Sequence, residues 1–174
     1  MMIMMKTRRV VAALAAMVVS FMVAGPAFAA DGSWSLTRRH YSVYTPNDTV
    51  DPTSTYFTAP AYVDSLDVAT SVVAQITRYQ GDHVEWGRVC YSQPYGNQPV
   101  ACTPWYNLVN PVSGLEAIGQ FRVVDANQNA TGGAYNVIYA KGSFQIQHRF
   151  PNGLPGPIYS DPGYDSLVVT YTEG

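Results

Sequence analysis

Hydrophobic and polar residues alternate along several stretches of this chain. The clearest run is 143–150, where one face carries Phe144, Ile146, His148 and Phe150 and the other carries Gln145, Gln147 and Arg149. A period of two places one face on a core and the other in water, as in antiparallel sheets. Similar short runs occupy 33–44, 71–79, 84–91, 119–124, 134–140 and 166–172.

Turn-forming residues separate these runs, and no convincing amphipathic helix follows the first thirty residues. Gln80-Gly81-Asp82, Lys141-Gly142 and Pro151-Asn152-Gly153 are typical of tight turns. Seven to nine short strands with such spacing predict an all-β fold, a small antiparallel β-sandwich or a barrel-like variant. Residues 45–60 contain three prolines and are predicted to form a long surface connection.

The first thirty residues have the pattern of a secretory signal peptide. A short basic start precedes an apolar run from Val10 to Val23, and Ala27-Phe28-Ala29 supplies small residues for cleavage between Ala29 and Ala30. The apolar run is too short to span about 30 Å comfortably, which disfavours a membrane anchor. We therefore expect a cleaved signal peptide at 1–29, a single β-sandwich domain at 30–174 without a membrane span, and a location outside the cytoplasm.

The net negative charge of the residues that follow the signal-like segment disfavours negatively charged partners. After removal of Lys6, Arg8 and Arg9, seven Lys/Arg face twelve Asp/Glu, a formal charge of −5. Affinity for phosphate comes largely from clustered Lys and Arg, so an acidic chain without a basic run is a poor candidate for binding nucleic acid or anionic lipid.

Two cysteines, Cys90 and Cys102, predict one disulfide, because an even pair in an oxidising compartment is usually bridged. Pro94, Gly96-Asn97 and Pro99 lie between them and are typical of a hairpin loop. The bridge is thus expected to join two adjacent strands. A redox-active pair is disfavoured, since there is no Cys-x-x-Cys motif.

Motifs for catalysis or metal binding are not found in the sequence. His40, His83 and His148 are far apart, and no cluster has zinc-ligand spacing. His148 is interpreted as a hydrogen-bonded residue at the core edge. The pairs Asp48/Asp51 and Asp64/Asp67 could hold calcium, but solvated loop acids are the favoured interpretation. We expect no enzyme activity, no cofactor and no metal.

Aromatic residues cluster around the cysteine loop and form candidate binding positions: Tyr91, Tyr95, Trp105 and Tyr106. Exposed rings beside Asn and Gln can stack on sugar faces, which makes a secreted carbohydrate-binding module the main alternative function. The favoured interpretation is that these rings cap the ends of the sandwich, packing their bodies and wetting their hydroxyls.

Several segments together resemble the flagellar protein FlhE family. They are Gly32-Ser33-Trp34, Ile76-Thr77-Arg78-Tyr79, Gly87-Arg88-Val89-Cys90-Tyr91-Ser92 with a later cysteine, Phe150-Pro151-Asn152-Gly153, and Ser166-Leu167-Val168-Val169-Thr170-Tyr171. Their order and approximate spacing match over most of the mature chain. The longer cysteine loop and the expanded segment 115–141 depart from the family pattern.

The resemblance implies a non-enzymatic periplasmic accessory protein of flagellar assembly that acts by protein–protein contact. The family is linked to the flagellar type III export apparatus, where it is thought to limit proton leakage or assist assembly. Expected partners are flagellar export or basal-body components, and formation of a homodimer is left open. A third alternative is a small secreted inhibitor or toxin.

Overall fold

The computed structural model describes residues 31–43, 53–159 and 162–174, and every regular element within these ranges is a β-strand. The strands are β1 (Asp31–Arg39), β2 (Thr53–Thr58), β3 (Val68–Ile76), β4 (Trp86–Ser92), β5 (Ala101–Cys102), β6 (Tyr106–Asn107), β7 (Val112–Glu116), β8 (Arg122–Val124), β9 (Ala130–Ala134), β10 (Ser143–Arg149) and β11 (Tyr164–Thr172). The predicted signal peptide and its Ala29–Ala30 cleavage site lie outside these ranges. Within them, no helix has the length and apolar character that crossing a membrane requires.

The strands form two antiparallel sheets. The first sheet has the order β1-β11-β3-β7, and the second has the order β2-β10-β4-β5-β8-β9, with β6 pairing to β4. In the first sheet the N-terminal strand pairs with the C-terminal strand along its whole length, from Asp31 opposite Thr172 to Arg39 opposite Tyr164. The prediction of an all-β, antiparallel sandwich with one disulfide is confirmed.

The main core lies between the two sheets and follows the predicted alternation in β3 and β11, whereas β4 is buried continuously from Gly87 to Ser92 and contributes Val89 and Tyr91 in place of the alternate residues Trp86 and Cys90. The first sheet contributes Trp34, Val72, Ala74, Ile76, Leu167 and Val169, and the second contributes Phe57, Val89, Tyr91, Phe144 and Ile146. Burial of apolar surface drives this packing at about 25 cal/mol per Å². The Trp34 indole Nε1–H also donates to the Ala140 carbonyl, at 3.1 Å.

The polar face of β10 is not in water, which corrects the expectation from alternation. Gln147 is only 1% exposed, and Gln145 is also buried. The turn between β8 and β9 folds over this face, so that Gln128 accepts a hydrogen bond from the Gln147 side-chain amide at 2.7 Å. A covered polar face needs internal partners for its amides, and these residues supply them.

The segment 45–60 was expected to be a loop, yet it contains β2, which pairs with β10. Phe57 and Thr55 point into the protein and are buried. Proline was a misleading signal here, because the three prolines lie outside the strand and leave its backbone N–H groups free to pair. Residues 45–52 of the segment lie outside the described ranges.

The disulfide Cys90–Cys102 is confirmed, and it joins adjacent strands as predicted. Cys90 of β4 lies directly opposite Cys102 of β5, with the two Cα atoms 4.0 Å apart. Both residues are buried. The bridge therefore fastens the two-residue strand β5, which few backbone hydrogen bonds hold, to the long strand β4.

Replacing both cysteines, in C90A/C102A, is expected to lower the free energy of unfolding by about 2–3 kcal/mol, because the bridge closes a short loop and restricts the unfolded chain. Urea titration of the oxidised protein and the variant measures the difference. Reductant should weaken the wild type and leave the variant unchanged. Equal midpoints for the oxidised protein and the variant would contradict the prediction.

Candidate functional site

The predicted binding aromatics have different environments and do not form one surface. Tyr95 is 92% exposed at the tip of the cysteine loop, with a positive φ of 63°. Tyr106 is half-buried, and its hydroxyl bonds the side chain of Gln120. Trp105 is half-buried beside arginine side chains. Tyr95 is thus the one candidate ring that is largely exposed, and Trp105 and Tyr106 are both partly exposed.

Tyr91 is a correction to the sequence-based expectation, because it is fully buried and cannot stack on a ligand. Its ring packs against Phe121, Tyr135 and Phe144, with centroids 5.4–6.2 Å apart. Its hydroxyl accepts the backbone N–H of Tyr139 at 3.0 Å. Burial raises the pKa of this phenol to about 12, so Tyr91 is a neutral core residue.

His148 lies in the interior between two carboxylates that belong to different parts of the fold. Its Nε2 is 2.9 Å from an oxygen of Asp165 on β11, and its Nδ1 is 2.7 Å from an oxygen of Glu85 just before β4. All three side chains are fully shielded from solvent. With Asp165 and Glu85 ionised, each carboxylate oxygen needs a donor, so both ring nitrogens carry protons and His148 is an imidazolium cation.

Two further histidines extend this cluster at its ends. His40 Nε2 lies 3.1 Å from the other oxygen of Asp165, and His83 Nε2 lies 2.9 Å from the other oxygen of Glu85. The order is His40, Asp165, His148, Glu85, His83, called here the histidine–carboxylate network. It crosses the sandwich, since Asp165 belongs to the first sheet and His148 to the second.

Backbone donors complete the network. The N–H of Thr77 donates to Asp165 at 3.0 Å, and the N–H of Tyr79 donates to Glu85 at 2.9 Å. Burial opposes charge on His148, but its bonds to Asp165 and Glu85 outweigh that effect and raise its pKa to about 9. Burial likewise opposes charge on Asp165, yet His148 and His40 hold the pKa of that carboxyl well below its usual range.

Aromatic and aliphatic side chains close one end of the network. Tyr79 stacks on His40 with centroids 4.2 Å apart and meets His148 edge-on at 5.1 Å. Tyr79 also belongs to a second apolar cluster, together with Val43, Phe150 and Leu154. His83 is the member nearest the surface and lines cavities of about 250 and 540 Å³.

Within the described ranges, one set of side chains could hold a metal ion: His40, His148 and Asp165, whose ligand atoms lie within 4.8 Å of one another. Metal binding there would require His148 to give up its Nε2 proton, so the hydrogen-bonded arrangement competes with it. Asp64 and Asp67 instead accept backbone N–H groups of their own turn, at 2.8–2.9 Å. Asp48 and Asp51 lie outside the described ranges.

A second polar site lies on the outer side of the second sheet. Arg88, Arg122 and Arg149, from three different strands, line a cavity of about 310 Å³ together with Trp105. The Arg88 guanidinium carbon is 4.2 Å from the Trp105 ring centroid, and that of Arg149 is 5.0 Å away. These four residues are called here the arginine–tryptophan pocket.

The positive charge of this pocket is not neutralised within the described part of the chain. None of the three arginines forms a salt bridge with another described residue, and no Asp or Glu lines the cavity. Burial, followed by repulsion from Arg149, lowers the pKa of Arg88 to about 10. Arg149 has a buried Nε atom without a hydrogen-bond partner. Such groups favour an anion.

Amide groups orient Arg88 in the pocket. Its Nε–H donates to the Gln147 side-chain oxygen at 2.8 Å, and its Nη1 donates to the Gln128 carbonyl at 3.0 Å. Gln128 has a positive φ of 60°, a conformation that costs a non-glycine residue about 1 kcal/mol or more. The nearby acid Asp125 accepts the N–H groups of Asn127 and Asn129, both at 2.9 Å, and so holds the turn.

Sequence reasoning missed both sites for the same reason. Members of the histidine–carboxylate network are separated by up to 125 residues, and the arginines come from three separate strands. His148 is hydrogen-bonded as predicted, but it is fully buried and does not lie at the core edge. One available signal was the histidine placed on the apolar face of a confident strand, since such a residue needs buried partners.

The raised pKa of His148 predicts a pH-dependent stability. Because the folded value of about 9 exceeds the unfolded value near 6.5, the stabilisation is complete below pH 6.5 and is lost as the pH rises towards 9. The free energy of unfolding should fall by about 3 kcal/mol across this window. Urea titrations at intervals of half a pH unit measure it, and H148Q should remove most of the slope. A flat wild-type profile from pH 6 to 9 would contradict an imidazolium at this position.

Comparison of the chain with protein-family models, with curated proteins and with solved structures found no match. The resemblance to the FlhE family therefore stays a prediction that depends on the segments quoted from the sequence, and the function is argued from the site itself.

Proposed function

We propose that this protein is a non-enzymatic accessory protein of the periplasm that acts by contact with another protein. The observation that carries the proposal is the arginine–tryptophan pocket, an oriented cationic surface on an otherwise acidic chain. Charged residues without internal partners are typical of surfaces that a partner completes. Tryptophan and arginine are also the residue types enriched at the centres of protein interfaces.

The buried titratable groups support a role without catalysis. The histidine–carboxylate network contains the pair types that general acid–base catalysis uses, yet Glu85, Asp165 and His148 are closed off from solvent. Their hydrogen bonds join strands of both sheets. Their chemistry is therefore used for holding the fold.

A location outside the cytoplasm is supported by the disulfide and by the pattern of residues 1–29. The flagellar association is the most specific part of the proposal, and it is supported by the FlhE resemblance alone. On that basis the partner is a component of the flagellar export apparatus or basal body.

The arrangement around Trp105 bears on the carbohydrate-binding alternative. Guanidinium groups already lie over the Trp105 ring, so the ring surface that they cover is not free to stack on a sugar. Tyr95 is the most exposed of the candidate rings, but its ring does not pack against Tyr91, Trp105 or Tyr106. A protein partner is the better fit to this surface.

Two measurements test the proposed function. Affinity-tagged mature protein, cross-linked in the periplasm and purified, should retain a flagellar export or basal-body component. A strain without the gene should assemble flagella poorly or swim and swarm less than its parent, and the intact gene should restore movement. Unchanged motility together with binding of peptidoglycan fragments in calorimetry would instead support the carbohydrate-binding function.

A further inference from the structure

The arginine–tryptophan pocket also indicates which chemical group the partner carries. Three guanidinium groups surround a cavity of about 310 Å³, large enough for one or two side chains. Seven basic residues follow the signal-like segment, and three of them meet here. A fixed cluster of cations without a carboxylate is an unfavourable arrangement that binding of an anion relieves.

The hydrogen-bonding capacity of the pocket is partly unused. Arg88 donates to Gln147 and Gln128, and Arg122 donates from Nη1 to the carbonyls of Gly119 and Phe121. The Arg149 side chain makes no hydrogen bond among the described residues, and its Nε is buried. A guanidinium group offers five N–H donors in a fork that matches a carboxylate, so donors remain for an incoming ligand.

We propose that this pocket binds a carboxylate side chain from a short acidic segment of the partner protein, with Arg149 and Arg88 as the principal donors and Trp105 as the apolar wall. The inference depends on the proposed function, since it names the chemistry of the contact. A half-open cavity of this volume suits a single acidic side chain with its methylene groups. The formal charge of −5 on residues 30–174 disfavours a long polyanion such as nucleic acid.

Two capped peptides test the assignment by isothermal titration and by tryptophan fluorescence of the mature, disulfide-bonded protein. One peptide carries two consecutive glutamates, and the other is identical except for glutamines. The glutamate peptide should bind, more weakly at high salt, and the glutamine peptide should not. Binding of both peptides with equal affinity would overturn the role of the carboxylate.

Charge-matched variants separate the pocket from general attraction. R149Q should weaken binding of the glutamate peptide about tenfold or more, because it removes a charge-assisted hydrogen bond from one of the two principal donors. R38Q is the control, since it removes the same charge from an exposed position on β1 in the other sheet. Binding weakened equally by R38Q and R149Q would reduce the effect to net charge and overturn the inference. Circular dichroism checks that each variant is folded.

Inorganic sulfate and phosphate at matched ionic strength form the last arm of the test. If either ion binds with an affinity that the glutamate peptide does not reach, the pocket is a free-oxyanion site and the acidic-segment assignment is wrong. The proposed function is judged separately by capture in the periplasm. Capture that persists in R149Q would overturn this inference and leave the proposed function standing, whereas capture lost in R149Q and retained in R38Q supports both.

Discussion

A buried imidazolium holds the two sheets of this protein in one relative position. His148 on the second sheet donates to Asp165 on the first, and its other nitrogen donates to Glu85. Removing these charges from water costs several kcal/mol for each ion, a cost that is offset only when the hydrogen-bond geometry is good. Apolar contacts tolerate small shifts, but an ion pair without solvent does not. The sheets therefore cannot slide without leaving a charge unpaired.

The strand β10 connects this interior constraint with the outer pocket. His148 points inwards, and the residues on either side of it, Gln147 and Arg149, point outwards towards Arg88 and Trp105. Because side chains alternate along a strand, a slip by one residue would exchange the two sets. The pairing that places His148 between its carboxylates thus also places Arg149 at the pocket. The register of β10 therefore determines both the interior ion pairs and the position of Arg149 in the pocket.

The sequence predicted the architecture better than it predicted either site. Alternation identified the inward positions of β10 correctly, and the spacing of Cys90 and Cys102 predicted their bridge. Alternation could not show that Gln145 and Gln147 would be covered, because the cover comes from a turn distant in sequence. The polar residues of a strand show which face points away from the apolar core, but they do not show what lies over that polar face.

The acids and bases of the interior are paired in a way that leaves the arginines available. Glu85 and Asp165 bond to histidines and backbone N–H groups, so neither carboxylate remains for a guanidinium group. The one acid in the turn over the pocket, Asp125, is similarly occupied by Asn127 and Asn129. Arg88 is held by neutral amides, which fix its orientation without cancelling its charge. An arginine paired with a carboxylate would also stabilise this fold, but its charge would be neutralised and fewer of its N–H donors would be available to a partner. Neutral hydrogen bonding to Arg88 is what allows a rigid outer surface of this acidic protein to stay positively charged.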